Sequence, residues 1–131
     1  VENQKLSALE ERPIRWSVDD AMKFVRREVR RGRRYDGIIL DPPKYGRGAK
    51  GEVWRLEVHL PELLALCRDL LSDEPAFLLL AIRLPYLPIQ PAVAEALAPF
   101  GGLVTAGEMA LPETSGGRLL PTAIFARWSP H

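Results

Sequence analysis

The sequence predicts an α/β protein built on a doubly wound, mostly parallel sheet that closes with an antiparallel strand pair. Three observations carry this. Strand-like and helix-like segments alternate along the chain, which favours parallel strands joined by crossover helices. Two runs, YDGIILD (35–41) and AFLLLAI (76–82), are apolar throughout, as strands buried on both faces are. Finally, LVTAGEMAL (103–111) and LPTAIFARW (120–128) face each other across Gly116-Gly117, which reads as an antiparallel pair.

The elements follow in order. Residues 2–10 are polar and permit a helix, which Pro13 stops. IRWSV (14–18) alternates and contains β-branched residues and Trp16, and so predicts a short strand. Asp19-Asp20 precede AMKFVRREVRRG. On a helical wheel Ala21, Met22, Phe24, Val25 and Val29 fall on one side, and Lys23, Arg26, Arg27, Arg30 and Arg31 on the other. Gly32 suits a helix stop. After a glycine-rich loop, LPELLALCRDLL (60–71) puts Leu60, Leu63, Leu64, Cys67, Leu70 and Leu71 on one stripe, with Pro61 fitting a first helical turn. QPAVAEALAPF (90–100) is a short helix ended by Gly101-Gly102.

At 131 residues this is one domain, large enough to bury roughly two-thirds of its unfolded surface. A formal net charge of +1 means that anion binding must come from local clustering of Arg and Lys. The single cysteine cannot form an internal disulfide and fits a reducing cytoplasm. No apolar run reaches transmembrane length, and the N-terminus lacks the pattern of a signal peptide. The chain starts without Met, in what reads as the middle of a helix, and is expected to be a piece of something longer.

In a doubly wound sheet, ligands bind beyond the carboxyl ends of the strands. Asp19-Asp20 and Asp41-Pro42-Pro43 both sit at such ends. Gly46-Arg47-Gly48-Ala49-Lys50-Gly51 matches the dinucleotide fingerprint by letter, but Pro42, Pro43, Lys44 and Tyr45 separate it from the strand. No acid follows at a strand end about twenty residues on. It is not a P-loop either, because Glu52 follows Gly51. In Asp41-Pro42-Pro43-Lys44-Tyr45, the prolines end the ladder and fix the backbone. A carboxylate beside a rigid carbonyl can receive an exocyclic amino group, which offers two donors. The same residues also make ordinary strand-terminating turn chemistry.

YDGIILDPPKYG resembles the Asp/Asn-Pro-Pro-aromatic motif that ends strand four of class I S-adenosylmethionine (SAM)-dependent methyltransferases. Lys44 stands in the usual aromatic slot and Tyr45 one place later, a variant typical of the ribosomal RNA branch. RWSVDDAMKFV resembles the preceding motif, where an acid at the end of strand three binds the adenine amino group. The chain thus looks like the C-terminal half of such an enzyme, closest to those related to bacterial large-subunit ribosomal RNA methyltransferases. The resemblance implies a Rossmann-like fold lacking its first two strands, over residues 1–131. It further implies SAM as cofactor, held by Asp20, Asp19 and Ala21, and a catalytic turn of Asp41, Pro42, Pro43 and Lys44. Asp20 also suits a helix N-cap, and the two roles can coexist. The glycine-rich first motif and the ribose-gripping acid of the superfamily have no counterpart here. The missing half, a partner or self-association is expected to supply them.

Lys44, Arg47, Lys50 and Arg55, interleaved with Tyr45 and Trp54, form a candidate nucleic-acid surface beside this site. Cations suit phosphates there, and aromatics suit stacked bases. Tyr45, Arg47, Lys50 and Trp54 are the expected substrate contacts, with ribosomal RNA the expected partner; a plain surface loop rich in Gly is the alternative. The Arg run 26–34 reads as a solvated helix face. Cys67, mid-stripe on a helix, reads as a packing thiol. His59 and His131 are isolated, so no metal site is expected, nor a membrane partner. Two rival functions stay open: a methyltransferase for another substrate class, and a catalytically inert α/β half domain that binds or supports a partner. The topology expected is 36–41 parallel beside 77–82, with the last strand antiparallel beside the latter. The strand at 14–18 is expected to have no neighbour in this chain.

Overall fold

The computed structural model describes residues 2–48, 51–83 and 87–131. In chain order its elements are α1 (Glu2–Leu6), α2 (Ala21–Arg30), β1 (Gly37–Leu40), β2 (Tyr45–Arg47), β3 (Val53–Arg55), α3 (Leu56–Leu70), β4 (Phe77–Ile82), α4 (Ile89–Leu97), β5 (Leu103–Pro112) and β6 (Leu119–Ser129). Four strands form one sheet in the order β1-β4-β6-β5. β1 and β4 are parallel, with Gly37 opposite Phe77 and Leu40 opposite Leu80. β6 runs antiparallel to β4, and β5 antiparallel to β6. The expected α/β topology is therefore present from β1 onward.

Alternation along the strands sorts the two faces of the sheet. Leu78, Leu80 and Ile82 of β4, with Ala126 and Trp128 of β6, are fully buried. They share one core with Met22 and Val25 of α2, Leu60, Leu64 and Cys67 of α3, and Val93 and Leu97 of α4. The opposite face carries Phe77, Leu79 and Ala81, all half-buried, and Ile39, which is 67% exposed. Among the described residues, the helices thus cover one face. On the other, aromatic rings lie across glycines of neighbouring strands. A Cβ at Gly37 would meet the Phe77 ring at 2.6 Å, and one at Gly107 would meet the Phe125 ring at 3.2 Å.

Four local expectations differ. Residues 14–18 are not a strand but irregular chain, and Val18 is wholly exposed. A strand needs a neighbour for its N–H and C=O groups, and no described strand pairs with this segment. Instead the Trp16 indole donates to Gln4 Oε1 at 3.0 Å, which ties the segment to α1. The second difference is that the stretch read as a glycine-rich loop contains two strands. Tyr45-Gly46-Arg47 pairs antiparallel with Val53-Trp54-Arg55 as a separate two-stranded sheet. Both triplets alternate in character, and β-branched and aromatic residues suit a pleated surface. Third, α3 begins at Leu56, five residues before Pro61, so this proline lies inside the helix. It is tolerated near the N-terminus, where it removes one intrahelical bond, and Leu56 N–H finds the Lys44 carbonyl at 3.0 Å. Finally, α1 ends at Leu6, short of the expected residue 10.

Candidate functional site

The site is built where the ends of two elements line one cavity, the carboxyl end of β1 and the start of α2. β1 stops at Leu40, and Asp41-Pro42-Pro43 carries the chain off the sheet. This turn is braced from the hairpin. Trp54 Nε1 donates to the Pro43 carbonyl at 2.7 Å, and its ring stacks on His59 with centroids 5.4 Å apart and planes 25° apart. His59 Nδ1 in turn lies within hydrogen-bond distance of the Arg55 backbone, 2.9 Å from its nitrogen and 2.8 Å from its carbonyl oxygen. Arg47 Nε donates to the Tyr45 hydroxyl at 2.8 Å, and an ion pair between Lys23 and Glu52 ties the hairpin to α2.

At the start of α2, Asp20 has extended backbone geometry and its Oδ1 accepts from Lys23 N–H at 2.9 Å, making it the N-cap. Asp19 is engaged differently. Its Oδ1 accepts from Asp20 N–H at 2.9 Å, and its Oδ2 pairs with Arg27 Nη1 at 2.6 Å. The Arg27 hydrogen bond, acting against desolvation, holds the Asp19 carboxyl below its ordinary range. Arg26 pairs with Glu62 across to α3, and Arg31 with Glu28, so the solvated arginine face is laced with carboxylates.

A cavity of about 460 Å³ joins these parts. Asp19, Asp20 and Ala21 line one side, Asp41, Pro42 and Pro43 another, and Arg47 and Trp54 a third, with Met22, Val25 and Leu63 supplying apolar wall. Lys44 faces a second cavity of about 350 Å³ on the far side of the same turn, lined also by Asp41, Pro42, Pro43, Leu56 and Arg83. Tyr45 borders neither cavity and is half-exposed. Lys50 lies outside the described residues. Trp54, an expected substrate contact, lines the first cavity and also has structural contacts: its ring stacks on His59 and its N–H holds the turn. Sequence reasoning missed Arg83. Its signal was a lone cation directly after a fully apolar strand, at the end of the sheet where ligands bind.

A third cavity, of about 530 Å³, runs along β1 and is lined by Arg15, Trp16, Ser17, Tyr35 and Ile38 among others. Beside it, the Tyr35 hydroxyl donates to Glu28 Oε2 at 2.8 Å. That hydrogen bond first, and then Arg31, holds the buried Glu28 carboxyl low. Burial first, then Glu28, raises the Tyr35 hydroxyl. Cys67 is buried, and burial pushes its thiol up to about 12. Among the described residues, no group of three His, Cys, Asp or Glu could hold a metal ion. No described helix is long and apolar enough to cross a membrane.

No protein-family profile matches the chain, and no curated protein matches it. Solved structures do. The SAM-dependent methyltransferase from Agrobacterium tumefaciens is 44% identical with a TM-score of 0.90, and the match covers 99% of this chain and 44% of that one. SMU.776, assigned as a methyltransferase and solved with S-adenosylhomocysteine (SAH), is 20% identical with a TM-score of 0.55, covering 85% of this chain and 30% of that one. The M1.HpyAVI–SAM complex is 19% identical with a TM-score of 0.51, covering 85% of this chain and 50% of that one. The chain carries the fold of SAM-dependent methyltransferases, and it spans less than half the length of the Agrobacterium protein.

Proposed function

We propose that the chain forms the acceptor-facing side of a SAM-dependent methyltransferase active site, acting on a base in ribosomal RNA. One observation carries this reading: a single cavity joins the acid pair at the head of α2 to the Asp41-Pro42-Pro43 turn and to Arg47 and Trp54 of the hairpin. Its volume lies within the range of ligand sites, about 300–1,000 Å³. Carboxylate acceptors beside Ala21 and the apolar wall of Met22 and Val25 suit an adenine, whose amino group donates and whose ring prefers apolar neighbours. Asp20 keeps its second oxygen for that contact while the first caps α2.

The cofactor supplies a methyl group already activated on a sulfonium, so the protein's task is orientation more than proton transfer. Asp41 and the Pro42 carbonyl receive the amino group of the acceptor base. The Pro43 carbonyl is occupied by Trp54, and this holds the other two acceptors in place. Lys44, Tyr45, Arg47 and Lys50 meet the nucleic acid around the site. The rest of the cofactor pocket comes from outside these residues, from another part of the protein or from self-association. The open side of β1, with its long cavity, and the uncovered sheet face both support this. A ribosomal RNA substrate puts the enzyme in the cytoplasm.

A second reading, a catalytically inert module, draws on one observation: both acids already have structural work, in the cap and the Arg27 pair. The test is methyl transfer from tritiated SAM by the whole protein. Label entering ribosomal RNA supports the proposal, and label entering only protein or small molecules refutes the substrate. The 131-residue chain alone should bind SAM weakly or not at all in calorimetry, and micromolar affinity would contradict the shared pocket.

A further inference from the structure

The Asp-Pro-Pro turn lines two cavities, and the proposed function leaves one wall of the second, Arg83, without a role. The second, of about 350 Å³, lies between the carboxyl ends of β1 and β4. Its walls are Asp41, Pro42, Pro43, Lys44, Leu56 and Arg83. Arg83 directly follows the last residue of β4 and is exposed. It also borders a smaller hollow formed with Glu108 and Thr122. Unlike Arg26, Arg27 and Arg31, it has no ion-pair partner among the described residues. A guanidinium with no ion pair to a described carboxylate, at the end of a sheet where ligands bind, offers a planar fork of donors. That fork matches the two free oxygens of a phosphodiester.

The same cavity holds an acceptor wall at Asp41 and a donor wall at Arg83. One nucleotide satisfies both, because its base presents donors while its backbone presents an anion. We propose that Arg83 anchors the phosphodiester next to the acceptor nucleotide and so fixes which base reaches Asp41. This rests on the nucleic-acid reading of the preceding section. Arg83 is a substrate-binding residue here and takes no part in the transfer itself.

The experiment is fluorescence anisotropy of a labelled single-stranded RNA of about 12 nucleotides with the protein, across salt. Each phosphate contact on a single strand contributes about 0.7 to the slope of log affinity against log salt. Arg83→Gln should lower that slope by about 0.7 and weaken binding roughly tenfold, as loss of a charged hydrogen-bonded contact does. Arg83→Lys should keep the slope and recover part of the affinity. Arg118→Gln is the control, since Arg118 already pairs with Glu113 at the far hairpin. As a second readout, inorganic phosphate should shift the Arg83 side-chain N–H signal in NMR more than that of Arg118. If the parent binds RNA with a clear salt slope and Arg83→Gln leaves slope and affinity unchanged, the anchor is refuted and the nucleic-acid reading stands. If the parent binds no RNA, both fall together.

Discussion

Replacing Asp20 separates the two roles that its position allows. Its Oδ1 accepts from Lys23 N–H at 2.9 Å, so Asp20→Ala leaves one of the orphan donors of the first turn without a protein partner. Loss of such a cap costs about 1 kcal/mol, with a range of about 0.5–2. The rest of α2 stays docked, because Met22 and Val25 are buried in the common core, so the loss is confined to the first turn. For a domain of this size the melting temperature should fall by about 3–5 °C. Asp20→Asn and Asp20→Ser keep an acceptor and should stay within about 0.5 kcal/mol of the parent. Urea and thermal denaturation followed by circular dichroism measure all three. In the whole protein, Asp20→Ala should also weaken cofactor binding by about 1–3 kcal/mol, as a buried amino group loses its acceptor. Parental melting of Asp20→Ala would refute the cap. If Asp20→Asn lost as much stability as Asp20→Ala, charge at the helix N-terminus would be the cause, not the hydrogen bond.

Three further outcomes are expected. Asp41→Ala should cut single-turnover methyl transfer by the whole protein on the order of a hundredfold while cofactor affinity holds, since small misplacements of an acceptor are that costly; transfer at the parental rate would make the strand-end acid turn chemistry alone. Cys67, with its thiol pushed up to about 12, should resist disulfide reagents at pH 8 and react only as urea unfolds the chain; rapid labelling of the native state would contradict its burial. Glu28 has a folded pKa below its ordinary 4.5, so the stability it contributes is in place above that pH and lost as pH falls through the depressed value. Acid titration of Glu28→Gln should show a flatter stability curve below pH 4.5, and an unchanged curve would assign the acid limb to other carboxylates.

The sheet from β1 onward was legible because its signal is local and redundant. An apolar run such as Phe77–Ile82 can be satisfied only by burial, and Gly101-Gly102 and Gly116-Gly117 mark where the chain turns. Residues 14–18 were not legible for the opposite reason. Alternation around Trp16 gives a propensity, and a strand also needs a pairing partner that the described residues do not supply there. The start of α3 was missed because Pro61 is the strongest break signal in the region. A helix can nevertheless begin five residues earlier when its first N–H groups have other partners, as Leu56 does with Lys44. Part of the candidate site was legible: Asp41-Pro42-Pro43 follows the carboxyl end of β1, where a doubly wound sheet exposes it, whereas Asp19-Asp20 follow irregular chain and not the strand expected before them. Arg83 stands at the same level, but a single cation after a strand has no motif, and its neighbours Asp41 and Lys44 are about forty residues away in sequence.

Trp54 shows why the turn reading and the site reading of Asp41-Pro42-Pro43 are one physical requirement. A strand that must stop pairing and still hold its end still needs donors removed and torsions fixed, which two prolines supply. A proline turn retains its carbonyls, and each is an acceptor that must find a partner or face solvent. The indole takes the Pro43 carbonyl, and its ring is in turn backed by His59 from the first turn of α3. The hairpin that carries Trp54 is itself tied to α2 through Lys23 and Glu52. Turn, hairpin and helix cap are therefore linked by side-chain contacts around the rim of one cavity. In the proposed function Asp41 and the Pro42 carbonyl are the acceptors left to receive a ligand, on a turn whose Pro43 carbonyl is held by a residue of the fold. A turn ordered before binding would lower the cost of a ligand docking as proposed, and that is the condition under which orientation alone can accelerate a transfer.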